Sequence, residues 1–327
     1  KSVDKTRGKT TFIKKLTHDT VFLQRISIIS ILVFLVIVCS LATDRFMTAN
    51  NILNVLKQIS VNGIIAVGMT LVIITGGINI AVGSMIGITG VIVGSILVNS
   101  PGQVGFALFM AIFVCSVFGA LCGFLISRFR VPPFIATMSM QTIIVGIAFI
   151  YSEGRPFMIS DKTVVSLGQG SIGIVPIPAI IFAVVALIGM FILNKTRLGR
   201  HILAVGGNSV AAKASGINNN LVLILVYTLS GLFTAIAGIV LAGRISSGLA
   251  SSGEGYELDA IAATVIGGTS MNGGIGSVAG TIVGALIIGV ISNGLNLLNV
   301  SSYWQLIVKG LIVLCAVIMD INFRRKE

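Results

Sequence analysis

Long apolar runs alternate with short polar breaks along the whole chain. Residues 58–127 carry no charged side chain, and neither do 131–152, 163–194, 214–243 or 260–308. In hydrocarbon a backbone must satisfy its own polar groups, so runs of this length are helices. They lack the strict in–out alternation of barrel strands. The pattern predicts helices near 26–43, 59–75, 79–98, 103–127, 134–152, 177–194, 221–243, 258–271, 277–297 and 303–320. A full crossing takes about 20 residues, so 258–271 reads as a short or re-entrant helix.

The expected fold is therefore an all-α polytopic membrane protein with about ten transmembrane helices. Its parts are a polar tail over 1–25, one transmembrane domain over 26–320 and a tail over 321–327. The composition agrees: 55% of residues are hydrophobic and 10% charged, with a mean hydropathy of +1.05, which excludes an ordinary soluble domain. Cys39, Cys115, Cys122 and Cys315 all fall in apolar runs without metal-ligand spacing and read as small buried hydrophobes.

Charge sets the topology. With both termini cytoplasmic and ten crossings, the whole net charge of +12 falls on the cytoplasmic side. That is the positive-inside asymmetry, so the basic surplus is a topology signal and nucleic acid is not an expected partner. The basic head followed by 26–42 reads as an uncleaved first span. Gly8-Lys9-Thr10 lacks the upstream glycine of a phosphate loop, since position 3 is Val3. Gly274-Ile275-Gly276-Ser277-Val278-Ala279 matches a dinucleotide fingerprint but lies between apolar helices, so it carries no such function.

The loop over 194–220 stands out. It holds Lys195, Arg197, Arg200 and Lys213 and no acid. Asn208 can cap a short helix over 209–215 that Gly216 closes, with Val210, Ala211, Ala214 and Ile217 on one side. Gly206-Gly207 and Asn218–Asn220 read as flexible ends. A helix so short needs a surface to dock on.

Small residues four apart, at Gly83/Gly87, Gly90/Gly94, Gly119/Gly123 and Gly276/Gly280/Gly284, predict close backbone packing. Gly76-Gly77-Ile78-Asn79 and Gly267-Gly268-Thr269-Ser270 with Gly273-Gly274 interrupt apolar runs. They are either breaks lining a pathway or plain interhelical turns. Gln58, Asn62, Asn79, Asn293 and Asn296 are candidates to line a route for a neutral hydroxylated solute, or to bond helix to helix. No carboxylate, lysine or histidine is expected at mid-membrane, which argues against an ion-coupled carrier. No catalytic set can be assembled either, so the chain reads as a transport subunit rather than an enzyme, with no cofactor.

The run LGRHILAVGGNSVAAKASGI resembles the cytoplasmic coupling segment of ABC-importer permeases of the ribose/monosaccharide type. GGINIAVGS, VPPFIATMSM, GYELDAIAATVIGGTS and LNLLNVSSYWQLIVKG extend the resemblance, in order, over nearly everything from residue 46 onward. It implies a homodimeric inner-membrane permease, a cytoplasmic ATPase with two nucleotide-binding domains and a periplasmic sugar-binding protein. ATP-driven sugar uptake follows, with ribose first, then allose or another aldose. A furanose signal of the autoinducer-2 type is the alternative, and a secondary carrier of a neutral solute stands behind it. Carried onto this chain, Arg197, Gly199, Arg200, Gly207, Asn208, Ala211, Ala212, Ser215 and Gly216 become the ATPase-coupling residues. Arg155 and Arg244 become candidates to dock the binding protein, unless Glu153, Glu254, Glu257 and Asp259 hold them in local ion pairs. The chain departs from the family pattern at Asn79, where an acid is usual, and at Ile275 and Ser277, where the turn is often basic.

Overall fold

A computed structural model describes residues 28–324. The basic head, with its rejected phosphate loop, and the last three residues lie outside them. The described chain is almost wholly helical. In order it holds α1 (Ile28–Ala42), α2 (Ala49–Ile74), α3 (Val82–Asn99), α4 (Val104–Phe129), α5 (Pro133–Ser152), α6 (Lys162–Gln169) and α7 (Ile177–Lys195). Then come α8 (Arg197–Gly207), α9 (Ser209–Ala214), α10 (Asn219–Ile245), α11 (Tyr256–Ile266), α12 (Val278–Leu297) and α13 (Ser302–Arg324). Seven of these, α2, α3, α4, α5, α7, α10 and α12, are long and apolar enough to cross a membrane. Two short antiparallel pairs lie opposite the α8–α9 end: β1 (Phe157–Met158) with β4 (Ser247–Gly248), and β2 (Ser171–Ile172) with β3 (Val175–Pro176).

The core is built round α2. Every residue from Ile59 to Ile74 is buried, against α10, α12, α7 and α11. α4 lies along α10, and Gly119 and Gly123 explain the closeness: a Cβ on either would strike the α10 backbone at Tyr227 or Ile224. The outward sides of α4, α5 and α7 expose Phe109, Phe113, Ile143, Leu187 and Phe191, the surface expected of helices that face lipid.

Each expected helix is present, with instructive differences. α2 begins at Ala49, ten residues before the predicted start, because Lys57 does not end it. The Lys57 ammonium reaches along the helix and donates to the Gln169 carbonyl at 2.8 Å. α6 and α8 were not expected. Asp161 caps α6, accepting from the amides of Thr163 and Val164. Thr196 caps α8, accepting from Gly199.

Two helices begin part-way through the bundle. After α2 the chain turns at Gly76-Gly77 and runs back inward without helical structure before α3 starts. Asn79, fully buried there, donates to Ser230 near the middle of α10. Met85, in the first turn of α3, gives its carbonyl to Cys115 near the middle of α4. The segment after α10 behaves the same way. From β4 it descends along α3, with Gly248 against Gly90, Ala250 against Gly87 and Gly253 against Gly83, and α11 then begins. In α11 Asp259 accepts from Asn62, the midpoint of α2. The first glycine cluster is therefore more than a surface turn, and the glycine stripe of α3 receives an extended chain rather than a helix. Non-helical backbone at this depth needs internal partners. The Ile78 carbonyl has two, Tyr227 Oη at 3.2 Å and Thr137 Oγ1 at 3.3 Å.

Candidate functional site

The polar loop after α7 folds into two short helices, α8 and α9. In α8, Leu198, Ile202 and Val205 recur at i, i+4 and i+7 and turn inward, while Arg197 and Arg200 stay exposed. Asn208 then ends α8 and opens α9. Its Oδ1 accepts from Val210 at 3.0 Å and Ala211 at 2.9 Å, two of the amides a helix start leaves free. Gly216 closes the segment with φ +82°, the left-handed conformation that a side chain disfavours. Asn218 caps α10, and Asn219 reaches back to the Ser209 carbonyl at 2.7 Å. The asparagine run is thus a clasp rather than a flexible end.

Within α9 only Ala212 is buried. Ala211, Ala214, Ser215 and Gly207 are exposed, and Val210 is 78% exposed. Gly199 is also buried, with its Cα against the carbonyls that end α7, so its part is internal packing. Gly206, expected to be flexible, is locked. A Cβ there would overlap the Ile74 carbonyl at the end of α2 and crowd Gly274 N. Gly274 in turn donates to that carbonyl at 2.8 Å. The glycines of the turn after α2, of the last turn of α8 and of the turn after α11 therefore meet at one joint just before α9.

The amides proposed to line a route are mostly engaged with one another or with hydroxyls. Asn293 and Asn51 exchange two hydrogen bonds, at 2.9 and 3.0 Å. Asn296 accepts from Gln305 at 2.8 Å, and Gln58 is half-buried on α2. Asn62 donates to Asp259 Oδ2, which also takes Lys309 Nζ at 2.8 Å. This corrects the expectation of an uncharged membrane interior. In the sequence each stands at an end of one uncharged run, Asp259 just before 260–308 and Lys309 just after it. The structure draws both to the midpoint of α2, since α11 starts inside the bundle. Among the described residues this is the ion pair the structure shows. Arg155 is exposed and Arg244 half-buried, and neither makes an ion pair with Glu153, Glu254, Glu257 or Asp259.

A capped, outward-facing short helix thus stands at one end of an apolar helical bundle. The family profile described as branched-chain amino acid transport system / permease component matches residues 51–317. The chain belongs to this permease family. It is a multi-pass protein of the bacterial inner membrane. The permease is 45% identical over 305 residues to the ribose import permease of Escherichia coli (strain K12), covering 91% of this chain and 94% of that one. It is 40% identical over 318 residues to the ribose import permease of Bacillus subtilis (strain 168), covering 97% and 98%. The galactose/methyl galactoside import permease of Escherichia coli (strain K12) is 34% identical to it over 339 residues, covering 98% and 99%. No solved structure was found to match the permease.

Proposed function

We propose that this permease is the membrane subunit of an ATP-driven importer that carries a monosaccharide, ribose foremost, from periplasm to cytoplasm. Relatives named for ribose import at 40–45% identity over nearly the whole chain support the sugar class. The observation that carries the mechanism is α9, a capped helix with its small apolar side chains outward and its base fixed to α2 and to the turn after α11. Two copies of the chain form the pathway. Each presents α9 to a groove in a cytoplasmic ATPase. Closure of the nucleotide-binding domains moves the two joints and reorients the helices between outward and inward access.

In this reading the chain crosses about ten times with both termini cytoplasmic. α1, α11 and α13 supply the crossings beyond the seven long helices, α11 as a half-span. Arg155 and Arg244, at the end opposite α9, meet acidic groups on a periplasmic binding protein. The buried pair of Asp259 and Lys309 removes one objection to an ion-coupled carrier, but the α9 surface has no purpose in such a carrier.

Ala211→Glu tests the coupling assignment. A carboxylate on the exposed side of α9 leaves the bundle intact and blocks an apolar dock. In proteoliposomes holding the whole transporter, ATP-driven ribose uptake is expected to fall at least tenfold while the permease is still recovered as an assembled dimer. Uptake at the unaltered rate would show that α9 does not meet the ATPase.

A further inference from the structure

The starts of α3 and α11 meet inside the bundle. α3 runs from there toward β1 and β4, and α11 runs the other way, toward the joint behind α9. Two helix N-termini thus face one small region from opposite sides, near the midpoints of α2, α4 and α10. The first turn of α3 has no side-chain cap, so its leading amides lack the usual acceptor.

Glu257, in the first turn of α11, points into this region. It is 8% exposed, and its Oε1 accepts from the Gly255 amide at 3.3 Å. Its Oε2 has no hydrogen-bond partner and lies against Gly83, where a Cβ would overlap it. Two more buried acceptors close to the meeting point are likewise without donors. They are Asn79 Oδ1, in the segment leading into α3, and Asn62 Oδ1, on α2 beside the first turn of α11. Buried polar atoms without partners are rare and call for a reason. Three such acceptors, on the elements around a helix start that supplies only donors, have one in common.

We infer that Glu257, Asn62, Asn79 and the first turn of α3 form the mid-membrane site that holds the transported solute, through its hydroxyl groups. A hydroxyl both donates and accepts, so it can give its proton to Glu257 Oε2 and take an amide proton from α3. An anion is opposed by Glu257, whereas a neutral polyol meets no like charge and supplies both the donor that Glu257 Oε2 lacks and an acceptor for the amides of α3. In the present conformation the site is closed, because Gly83 packs directly on Glu257 and on the Gly253 carbonyl. Separation of α3 from the 250–257 segment opens it, and α11 is the element that transmits such a movement, since its far end leads into the joint behind α9. Half-helix starts paired at the bilayer midplane are a recurring way to bind a solute without a preformed channel.

The inference rests on the sugar-permease reading, and the experiment separates the two. The complete transporter, permease with its ATPase and binding protein, is placed in proteoliposomes with labelled ribose, 2-deoxyribose and xylose. If the unaltered transporter carries no monosaccharide, the sugar-permease reading fails and this site fails with it. Glu257→Gln keeps the side-chain volume and exchanges one acceptor oxygen for a donor. Ribose uptake is expected to fall about tenfold, and the preference among the three sugars to change about fivefold or more, because a site that bonds a particular hydroxyl discriminates by it. Unchanged uptake overturns the inference. So does a uniform fall across the sugars, which marks Glu257 as a residue that only positions the two helices. Should Glu257→Gln not assemble, Asn62→Leu removes a second acceptor and is judged by the same change in preference.

Discussion

Lys309→Met should cost more stability than Asp259→Asn, and the double variant should recover much of the loss. Lys309 and Asp259 pair at 2.8 Å, with the carboxylate side chain 8% exposed and the lysine 25% exposed. Removing one partner of a buried pair costs about 3–5 kcal/mol, chiefly because the remaining charge is stranded. The structure places Lys309→Met at the lower end, about 3 kcal/mol, since the Asn62 amide still donates to the stranded carboxylate at 3.3 Å. Asp259→Asn strands the more exposed lysine, whose long stem carries its ammonium toward the open side, and about 1–2 kcal/mol follows. The double variant leaves no charge to strand, so the two costs should not add, and a coupling of about 1–3 kcal/mol is expected. Reversible unfolding of the purified permease in mixed micelles measures all four species. Additive costs, or a greater cost for Asp259→Asn than for Lys309→Met, would refute the claim that the pair is buried and coupled. α13 reports on the same pair, because it packs chiefly on α11. Its release in Lys309→Met should appear as faster proteolysis between α12 and α13.

Gly206→Ala places a Cβ on the Ile74 carbonyl, and overpacking of that kind costs about 1–3 kcal/mol. An unchanged unfolding midpoint would show that the joint behind α9 yields freely. Asn208→Ala removes the acceptor of two α9 amides, worth about 1 kcal/mol. Sugar carried per ATP should drop several-fold, and Asn208→Asp should restore most of it. Equal ratios in both variants would mean that α9 acts without its cap.

The helical bundle and α9 were legible in the sequence because their signals are local. Uncharged runs force helices in lipid, and Asn208 and Gly216 bracket a helix by their own chemistry. α8 was hidden because Arg197, Arg200 and His201 interrupt the row of Leu198, Ile202 and Val205. The start of α2 was hidden because Lys57 looked like a boundary, although its ammonium merely reaches a carbonyl beyond the helix. Depth was not legible at all. Gly76-Gly77 announced a break, but only the pairing of Asn79 with Ser230 places it inside the bundle. Asp259 suffered most from this. Beside an apolar run an acid reads as the edge of the membrane, whereas here the run begins at the middle.

Once depth is known, the two ends of the transport problem become one structure. α9 presents its small side chains outward, and Gly206 fixes α8 to the end of α2 and to the turn at Gly273-Gly274. That turn follows α11, only eleven residues long, whose other end carries Glu257 and Asp259. A displacement at the joint therefore reaches the middle of the membrane through one short helix. Gly280 and Gly284 let α12 sit directly on the α11 backbone, so the two move as a pair. α3 is tied to the joint only through the non-helical segment 75–81, for it begins at the meeting point and runs away from it. Force entering at α9 moves α11 against α3, and the contact between Glu257 and Gly83 is where that relative motion is concentrated. A wider residue at Gly83 would hold the two apart permanently, which makes its absence from this position a requirement of a site that must also close.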